Sequence, residues 1–448
     1  MIHSTPLPAD TPHVPAAIIG AGACGLVTAL SLRDADIECV LLERDARPSG
    51  STALSSGLIP ACNTRVQRAA GITTDSVERF SQDIQNKAHG QAAPHLVAAY
   101  TRAVGPAMDM LGERHGLQFH VLDGFLYPSH SVLRMHAVPE KTGAALVAQL
   151  EQAARSAGAD IVTQATVRQL WVDARQRVTG VAYERPDGRL EHLACDVLVL
   201  ACNGFGGNPA MVAELLPEMA GAPFVGHTGN DGSAIAWGRA LGARLADLSA
   251  YQGHGSWAVP HGTLITWALM GEGALQLNAR GERFLDESGG YSEAAVQVLA
   301  QPGGTAWDVF DGPLLELGRT FPDFVEAEAA GAVKTCADLQ ALATLIGADV
   351  ATVERSLASG HKRTLQTPFH AVKVTGALFH TQGGLDIDRH CRVLREDGTP
   401  LPNLLAAGGA ARGVSGNAVW GYLSGNGLLS AVGGGAIAGR TAVEVLQA

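Results

Sequence analysis

The stretch from Ala16 to Arg44, AAIIGAGACGLVTALSLRDADIECVLLER, constrains the fold more than any other part of this chain. It opens with four apolar residues, Ala16-Ala17-Ile18-Ile19, which read as a strand buried on both faces. Gly20, Gly22 and Gly25 follow in G-x-G-x-x-G spacing. A helical pattern then runs from Leu26 to Leu32, and a second strand from Glu38 to Leu42 ends on Glu43. Each glycine has a separate job. Gly20 permits a tight turn, Gly22 lets a pyrophosphate come against the backbone, and Gly25 lets the helix pack close to the strand. Ala23 and Cys24 between the glycines are candidate contacts as well, and the N-terminus of the helix that follows offers free N–H groups and a positive dipole end to phosphate. Glu43, eighteen residues after Gly25 and followed by Arg44, lies where an acid accepts ribose hydroxyls. Strand, turn, helix, strand and terminal acid in this order point to dinucleotide binding, without separating FAD from NAD.

At 448 residues the chain exceeds what one small core organises, so two domains or one with a large insertion are expected. Hydrophobic residues make up 46% and charged residues 17%, the balance of a well-buried α/β enzyme. A net charge of -11 without any Lys/Arg run argues against nucleic acid and anionic membrane partners. No apolar run reaches the roughly 18 residues a membrane span requires. The opening MIHSTPLPADTPHVP lacks the basic-then-apolar order of a secretory signal. The seven cysteines (24, 39, 62, 195, 202, 336 and 391) are scattered and never in C-x-x-C spacing. They read as reduced thiols, with no metal site, in a soluble cytoplasmic protein.

Beyond Glu43, the run Pro48 to Gly57 is rich in small and hydroxyl residues. Ser51, Thr52, Ser55, Ser56 and Gly57 there can lie flat against a ligand and hydrogen-bond its phosphate or ring atoms. Residues 75–116 have helical periodicity, Gly124 to Pro128 reads as a strand, and Lys141 to Gly158 as an amphipathic helix. Strand patterns fill Asp160 to Leu200, with Val167 in the second of them and a hairpin turn at Pro186-Asp187-Gly188. The turn Ala201 to Asn208, with Gly204 inside it, follows the last buried strand, and a helix opens at Asp231-Gly232. Residues 250–365 have the mixed character of an insertion. Pro368 to Ala448 returns to the first style, with a buried run ending on Gly408 and a glycine-rich final helix.

Seven segments in this order, GAGACG, SGSTALSSG, ACNGFGGN, TGNDGSAIAWGRALGA, NARGERFLDES, HTQGGLDID and NLLAAGG, carry a resemblance. Over about residues 14–445 the chain resembles the FAD-dependent fumarate reductase/succinate dehydrogenase flavoprotein superfamily, which includes 3-ketosteroid dehydrogenases. The resemblance implies an α/β architecture: a Rossmann-like FAD-binding domain (1–240 and 366–448) with an inserted α+β capping domain (241–365). It implies FAD rather than NAD, with cofactor contacts from the residues named above and from Asn426, Gly427 and Leu428. The Ser51-Thr52 loop holds no histidine for covalent attachment, so the FAD is expected to be noncovalent.

The active site departs from the fumarate reductases. By the resemblance, His254 retains a first substrate histidine and Thr266 a threonine, but the glutamate that follows has become Trp267. The catalytic arginine falls on Tyr291, the second histidine on Ser415 and the second arginine on Tyr422. Two cations and an acid that would hold a dicarboxylate are gone, which argues against fumarate reduction. The same positions resemble the ketosteroid dehydrogenases. There one tyrosine removes a proton alpha to a ketone, while a second, with a glycine N–H, holds the carbonyl oxygen. Tyr291 fits the first role, and Tyr422 with Gly425 or Gly427 the second. Such chemistry needs a base for the alpha C–H, donors to the developing enolate and a hydride acceptor at the beta carbon. A phenol titrates near ~10, so a tyrosine base needs electropositive or hydrogen-bonding help, for which His254 is the candidate. Met270 stands where relatives usually have arginine, and Gly409 where many have glutamate. Arg134, His136 and Arg412 are candidates to bind a substrate carboxylate, each otherwise a surface charge.

The resulting expectation is an FAD-dependent dehydrogenase that desaturates a cyclic ketone, either a 3-oxosteroid or a smaller oxocyclohexane-type ring. The electron acceptor, whether oxygen, a quinone or a carrier protein, stays open. The alternatives are an FAD-dependent reductase of an unsaturated carboxylic acid and a flavin-holding binding module.

Overall fold

The computed structural model describes residues 1–360 and 362–448. They form two compact units: Met1–Leu215 with Gly226–Tyr251 and His380–Ala448, and Leu216–Val225 with Gln252–Phe379.

The first unit is built on five parallel strands in the order Pro400–Ala406, Leu190–Leu200, His13–Ile19, Cys39–Leu42 and Asp160–Val162. Val197 to Leu200 and Ala16 to Ile18 are fully buried, because helices cover both faces of a parallel sheet. On one face the helix Ala23–Arg33 packs against the C-terminal helix Asn426–Gln447. The glycines of that last helix make this approach possible: a Cβ on Gly435 would stand 2.6 Å from the Cys24 carbonyl oxygen. An antiparallel extension, Thr166–Val172 with Val178–Glu184, continues the sheet through the first half of Leu190–Leu200. A smaller antiparallel sheet pairs Met135–Ala137 with Ile59–Pro60 and with His120–Val121. The strand expected at Gly124 to Pro128 is absent, because left-handed backbone at Gly124 (φ 80°) and Ser129 (φ 66°) bends the segment away.

The second unit has its own sheet, ordered Thr263–Leu264, Tyr251–Ala258, Phe369–Thr381, Thr305–Asp311 and Leu275–Leu277, with Lys334–Cys336 also on Phe369–Thr381. Its core is separate and includes Leu269, Met270, Phe310, Phe324 and Val372. The units divide at other residues than 241 and 365. Leu245–Ala246 pairs with Gly384–Leu385, and Gly238 sits on Leu385, so this stretch stays in the first unit. Phe369–Thr381 is laddered to Thr305–Asp311, which carries the second unit on to Phe379.

All seven cysteines are free thiols, and among the described residues no helix is long and apolar enough to cross a membrane.

Asp308 lies fully buried in the second sheet, with one carboxyl oxygen accepting from Gln276 Nε2 at 2.8 Å. Burial pushes this carboxyl up to about 7. The folded state therefore holds a proton that the unfolded chain releases near ~3.9. The stability it contributes is present below that value and is lost as pH rises towards 7, by at most about 4 kcal/mol at ~1.4 kcal/mol per pH unit. Asp308→Asn is expected to flatten the stability difference between pH 5 and pH 8 in urea unfolding. An unchanged difference would mean that Asp308 is ionised in the fold.

Candidate functional site

The G-x-G-x-x-G turn forms in the first unit as its spacing requires. Gly20 has φ 100°, and a Cβ there would stand 2.7 Å from the Ala201 carbonyl oxygen. A Cβ on Gly25 would overlap the carbonyl oxygen of Gly20. Gly22 differs: the nearest atom to its Cβ position is Thr52 Oγ1, at 3.6 Å. The space over Gly22 is thus a cradle bounded by the helix N-terminus, where Ala23 N donates to Thr52 Oγ1 at 3.2 Å. Cys24 is buried, with its side chain against Gly408, so only its backbone faces the turn.

Glu43 is 5% exposed; its Oε2 accepts from Ala21 N at 2.8 Å and its Oε1 from Asp45 N at 3.0 Å. Burial raises its pKa and the two amides oppose the rise. Both oxygens keep lone pairs for hydroxyl donors, which suits ribose. Behind the turn the expected polar residues brace one another. Ser51 Oγ accepts from Asn230 Nδ2 at 2.8 Å, Arg44 pairs with Asp231 at 2.9 Å, and Ser55 Oγ donates to Thr52 O at 2.7 Å. Gly57 N donates to Ser55 Oγ, while Ser56 is exposed. Asn208 Nδ2 donates to Asp231 O. Val167 pairs with Tyr183 in the antiparallel extension, and nearby Ala165 N donates to Glu43 O. Gly204 abuts Thr381, and Leu428 is half-buried in the last helix.

Where that last helix begins, a second polar group converges. Gly425 caps it with φ 87°, and Tyr422 lies three residues earlier, 6% exposed. Burial raises the Tyr422 phenol well above its ordinary pKa, and backbone hydrogen bonds from Gly427 and Gly425 to its oxygen oppose the rise. His380 meets the Tyr422 ring edge to face at 5.6 Å and lies so close to Gly427 that a Cβ there would be 2.8 Å from its Nε2. A chain runs on from His380 Nδ1 to Gln382 Nε2 (2.9 Å), from Gln382 Oε1 to Ser415 Oγ (3.0 Å) and on to Asn426 Nδ2 (3.0 Å). Asn426 Oδ1 and Ser430 Oγ are buried and have no protein partner among the described residues, as groups that serve a ligand are. The cradle over Gly22, the Glu43 carboxylate and these acceptors fit a flavin dinucleotide. Sequence reasoning had missed His380 and Gln382, although HTQGG was visible; no local pattern tied it to Tyr422.

In the second unit His254, Trp267 and Tyr291 come together. His254 is 5% exposed and stacks on Tyr291 with ring centroids 4.9 Å apart and planes inclined by 20°. Trp267 meets it edge on at 5.9 Å, and Phe379 lies at 5.7 Å. His254 Nδ1 accepts from Ser256 N at 3.1 Å, which leaves its proton on Nε2, and burial pushes its pKa down to about 3. Of the two kinds of help expected from His254 for Tyr291, burial thus removes the positive charge and leaves hydrogen bonding. Tyr291 is the first residue of the helix Tyr291–Leu299. The turn before it is pinned by Trp267 Nε1 to Gly289 O at 3.0 Å and by the Arg283–Glu287 pair on the adjoining segment. Thr266 Oγ1 accepts from Ala268 N, which opens the short helix Ala268–Gly271. Met270 in that helix is fully buried in apolar core, where an arginine would be an unpaired buried charge.

Three cations considered for a carboxylate are committed elsewhere. Arg134 is 1% exposed and pairs with Asp75 and Asp83, so it is no surface charge. His136 is buried between Thr64 Oγ1 (2.7 Å) and Arg134 O (2.9 Å), and burial lowers its pKa to about 4. Arg412 joins Asp247 at 2.6 Å to Asp386 at 3.3 Å.

The model of the family described as FAD binding domain matches residues 16–428. An NADH:fumarate oxidoreductase of Klebsiella pneumoniae (strain 342) is 26% identical over an alignment 447 positions long, gaps included, that covers 95% of this chain and 47% of that protein. The chain thus spans about half the length of that relative. A 4-oxocyclohexanecarboxylate 2-dehydrogenase of Sinomonas cyclohexanicum is 24% identical, with 88% of this chain and 87% of the relative covered. Among solved structures, the open conformation of a flavocytochrome c3 fumarate reductase matches with a TM-score of 0.84 at 24% identity, over 98% of this chain and 80% of that one. A 3-ketosteroid-delta4-(5alpha)-dehydrogenase from Rhodococcus jostii RHA1 matches with a TM-score of 0.79 at 23% identity, over 98% and 99%. These likenesses show a shared mixed α/β fold.

Proposed function

The chain belongs to the FAD binding domain family, with FAD as its cofactor, and on that premise we propose that it desaturates a cyclic ketone next to the carbonyl. The observation that carries the reading is the neutral, aromatic character of the second unit's cluster. Where dicarboxylate enzymes of the resembled superfamily hold charged groups, this chain has Trp267 and Tyr291, around a His254 held neutral by burial. Such a surface suits a carbon ring and not two carboxylates. The Sinomonas relative's name, an oxocyclohexane carboxylate dehydrogenase, supports the smaller ring over a steroid.

In this reading the parallel-sheet unit is a Rossmann-like FAD-binding domain and the second unit an α+β cap. Gly20, Gly22, Ala23, Cys24 and Gly25 present backbone to the pyrophosphate, Glu43 takes the ribose, and Asn426 and Gly427 lie at the ring end; the association is noncovalent. When bound, FAD supplies the hydride acceptor for the beta carbon. Tyr291 takes the alpha proton as its phenolate and becomes a phenol. Tyr422 donates its O–H to the carbonyl oxygen, and the Gly425 and Gly427 amides on its own oxygen polarise that O–H as charge builds on the enolate. Seven free thiols support a reducing, cytoplasmic setting, with a small-molecule ketone as substrate and oxygen, a quinone or a carrier protein as electron acceptor. The second reading, reduction of an unsaturated carboxylic acid, is favoured by the Klebsiella relative's name and by the retained His254.

An anaerobic panel separates the two. The oxidised protein is mixed with cyclic ketones and with succinate-like acids while the visible flavin band is followed. Bleaching by a ketone alone is the expected result; bleaching by a dicarboxylate would replace the ketone reading with the second one.

A further inference from the structure

We propose that His130 is a positioning residue that aims the Gly425 amide at Tyr422, and that Arg134 fixes His130 for this task. The proposal rests on the reading of Tyr422 as the carbonyl donor. Ser424 lies between Tyr422 and Gly425, and its carbonyl oxygen is 3.0 Å from His130 Nε2 in a buried contact. That carbonyl and the Gly425 N–H are the two ends of one planar trans peptide and point in opposite directions. Holding the carbonyl on His130 therefore fixes the direction of the Gly425 amide, three residues after Tyr422, and the Gly425 backbone is one of two groups that oppose the rise in the Tyr422 pKa.

A neutral His130 donates from Nε2 only in the tautomer whose Nδ1 is the acceptor. Nδ1 lies 3.4 Å from Arg134 Nη1, and a guanidinium has hydrogens to give and none to accept. Burial first, and the Arg134 cation second, hold the ring neutral with its pKa lowered to about 4. Arg134 itself has no freedom. Nε and Nη2 reach Asp75 at 3.2 and 2.8 Å, Nη1 reaches Asp83 at 2.6 Å, and the guanidinium lies 4.4 Å from the Phe80 ring centre. Gln67 holds Asp75 at 2.8 Å, and Ser131 holds Asp83 through both N and Oγ at 2.9 Å. A buried ion triad of this kind adds little net stability, since desolvation offsets much of the attraction. What it does provide is a rigid donor at one point in space, and the imidazole occupies that point.

The test compares His130→Phe, which keeps an aromatic ring and loses the donor, with His130→Gln, which keeps a donor near the Nε2 position, both as FAD-loaded protein. In His130→Phe the backbone amides of residues 419–429 are expected to exchange hydrogen at least about tenfold faster by mass spectrometry. Turnover of the ketone should fall about ten- to a hundredfold in kcat with little change in KM, as when a transition-state donor is weakened. His130→Gln should restore both. If His130→Phe does not accumulate, His130→Ser must show the same faster exchange. Wild-type exchange at 419–429 in a variant without a donor would overturn the proposal. Exchange needs no ketone, so accelerated exchange in a protein that no ketone reduces would sink the catalytic reading and leave the positioning role standing.

Discussion

Tyr291→Phe leaves the flavin content of the protein intact and slows flavin reduction by a ketone by roughly two to four orders of magnitude, the usual range for a lost general base. The substitution removes one oxygen and keeps the ring. The stack on His254, 4.9 Å between centroids, and the apolar packing around it stay in place, so the second unit should stay folded. The measurement is a stopped-flow anaerobic half-reaction, in which the bleaching rate at saturating ketone is compared between the two proteins. A variant that bleaches at the wild-type rate removes Tyr291 from the chemistry. Because His254 is neutral, His254→Phe should be far milder than Tyr291→Phe: it keeps a ring for the stack and removes no charge, only the ring nitrogens, one of which accepts from Ser256 N. Equal losses in the two variants would point to a proton passing through the imidazole.

The dinucleotide turn was legible because its determinants are local. Gly20, Gly22, Gly25 and Glu43 lie within one strand-helix-strand segment, and each spacing is set by backbone geometry that the structure repeats, with the helix beginning at Ala23 and the second strand at Cys39. Tyr291 and Tyr422 were found only through resemblance, and their surroundings could not be read at all. The neutrality of His254 depends on Trp267 and Phe379 closing over it, and the second of these is more than a hundred residues away. Arg134 was misread for the same reason. An arginine between apolar residues looks like a surface charge until Asp75 and Asp83, 59 and 51 residues earlier in sequence, are folded against it. The assignment of Leu245–Ala246 was not legible because it and its partner Gly384–Leu385 are strands of two residues each, too short to show a periodicity.

Gly22→Ala is expected to leave the apo-protein as stable as wild type and to cost it FAD, whereas Gly25→Ala should destabilise the protein itself. The contrast follows from what an added methyl meets. At Gly25 it overlaps the carbonyl oxygen of Gly20, a backbone atom that cannot move without opening the turn, and the helix must back away from the strand beneath. At Gly22 the only neighbour within 4 Å among the described residues is the Thr52 hydroxyl at 3.6 Å, an ordinary contact, and φ of -74° suits alanine. The protein has no internal reason to object to that methyl. Its effect falls on whatever approaches the helix N-terminus, and a pyrophosphate needs the backbone there bare. Thermal unfolding of the flavin-free proteins and titration of FAD fluorescence separate the two effects. Gly22→Ala should match the wild-type unfolding temperature and bind FAD at least about a hundredfold more weakly, close to 2.7 kcal/mol at ~1.4 kcal/mol per tenfold. Gly25→Ala should unfold earlier whether or not FAD is present. Wild-type affinity in Gly22→Ala would mean that the pyrophosphate does not lie over this turn, and the assignment of Glu43 to the ribose would fall with it.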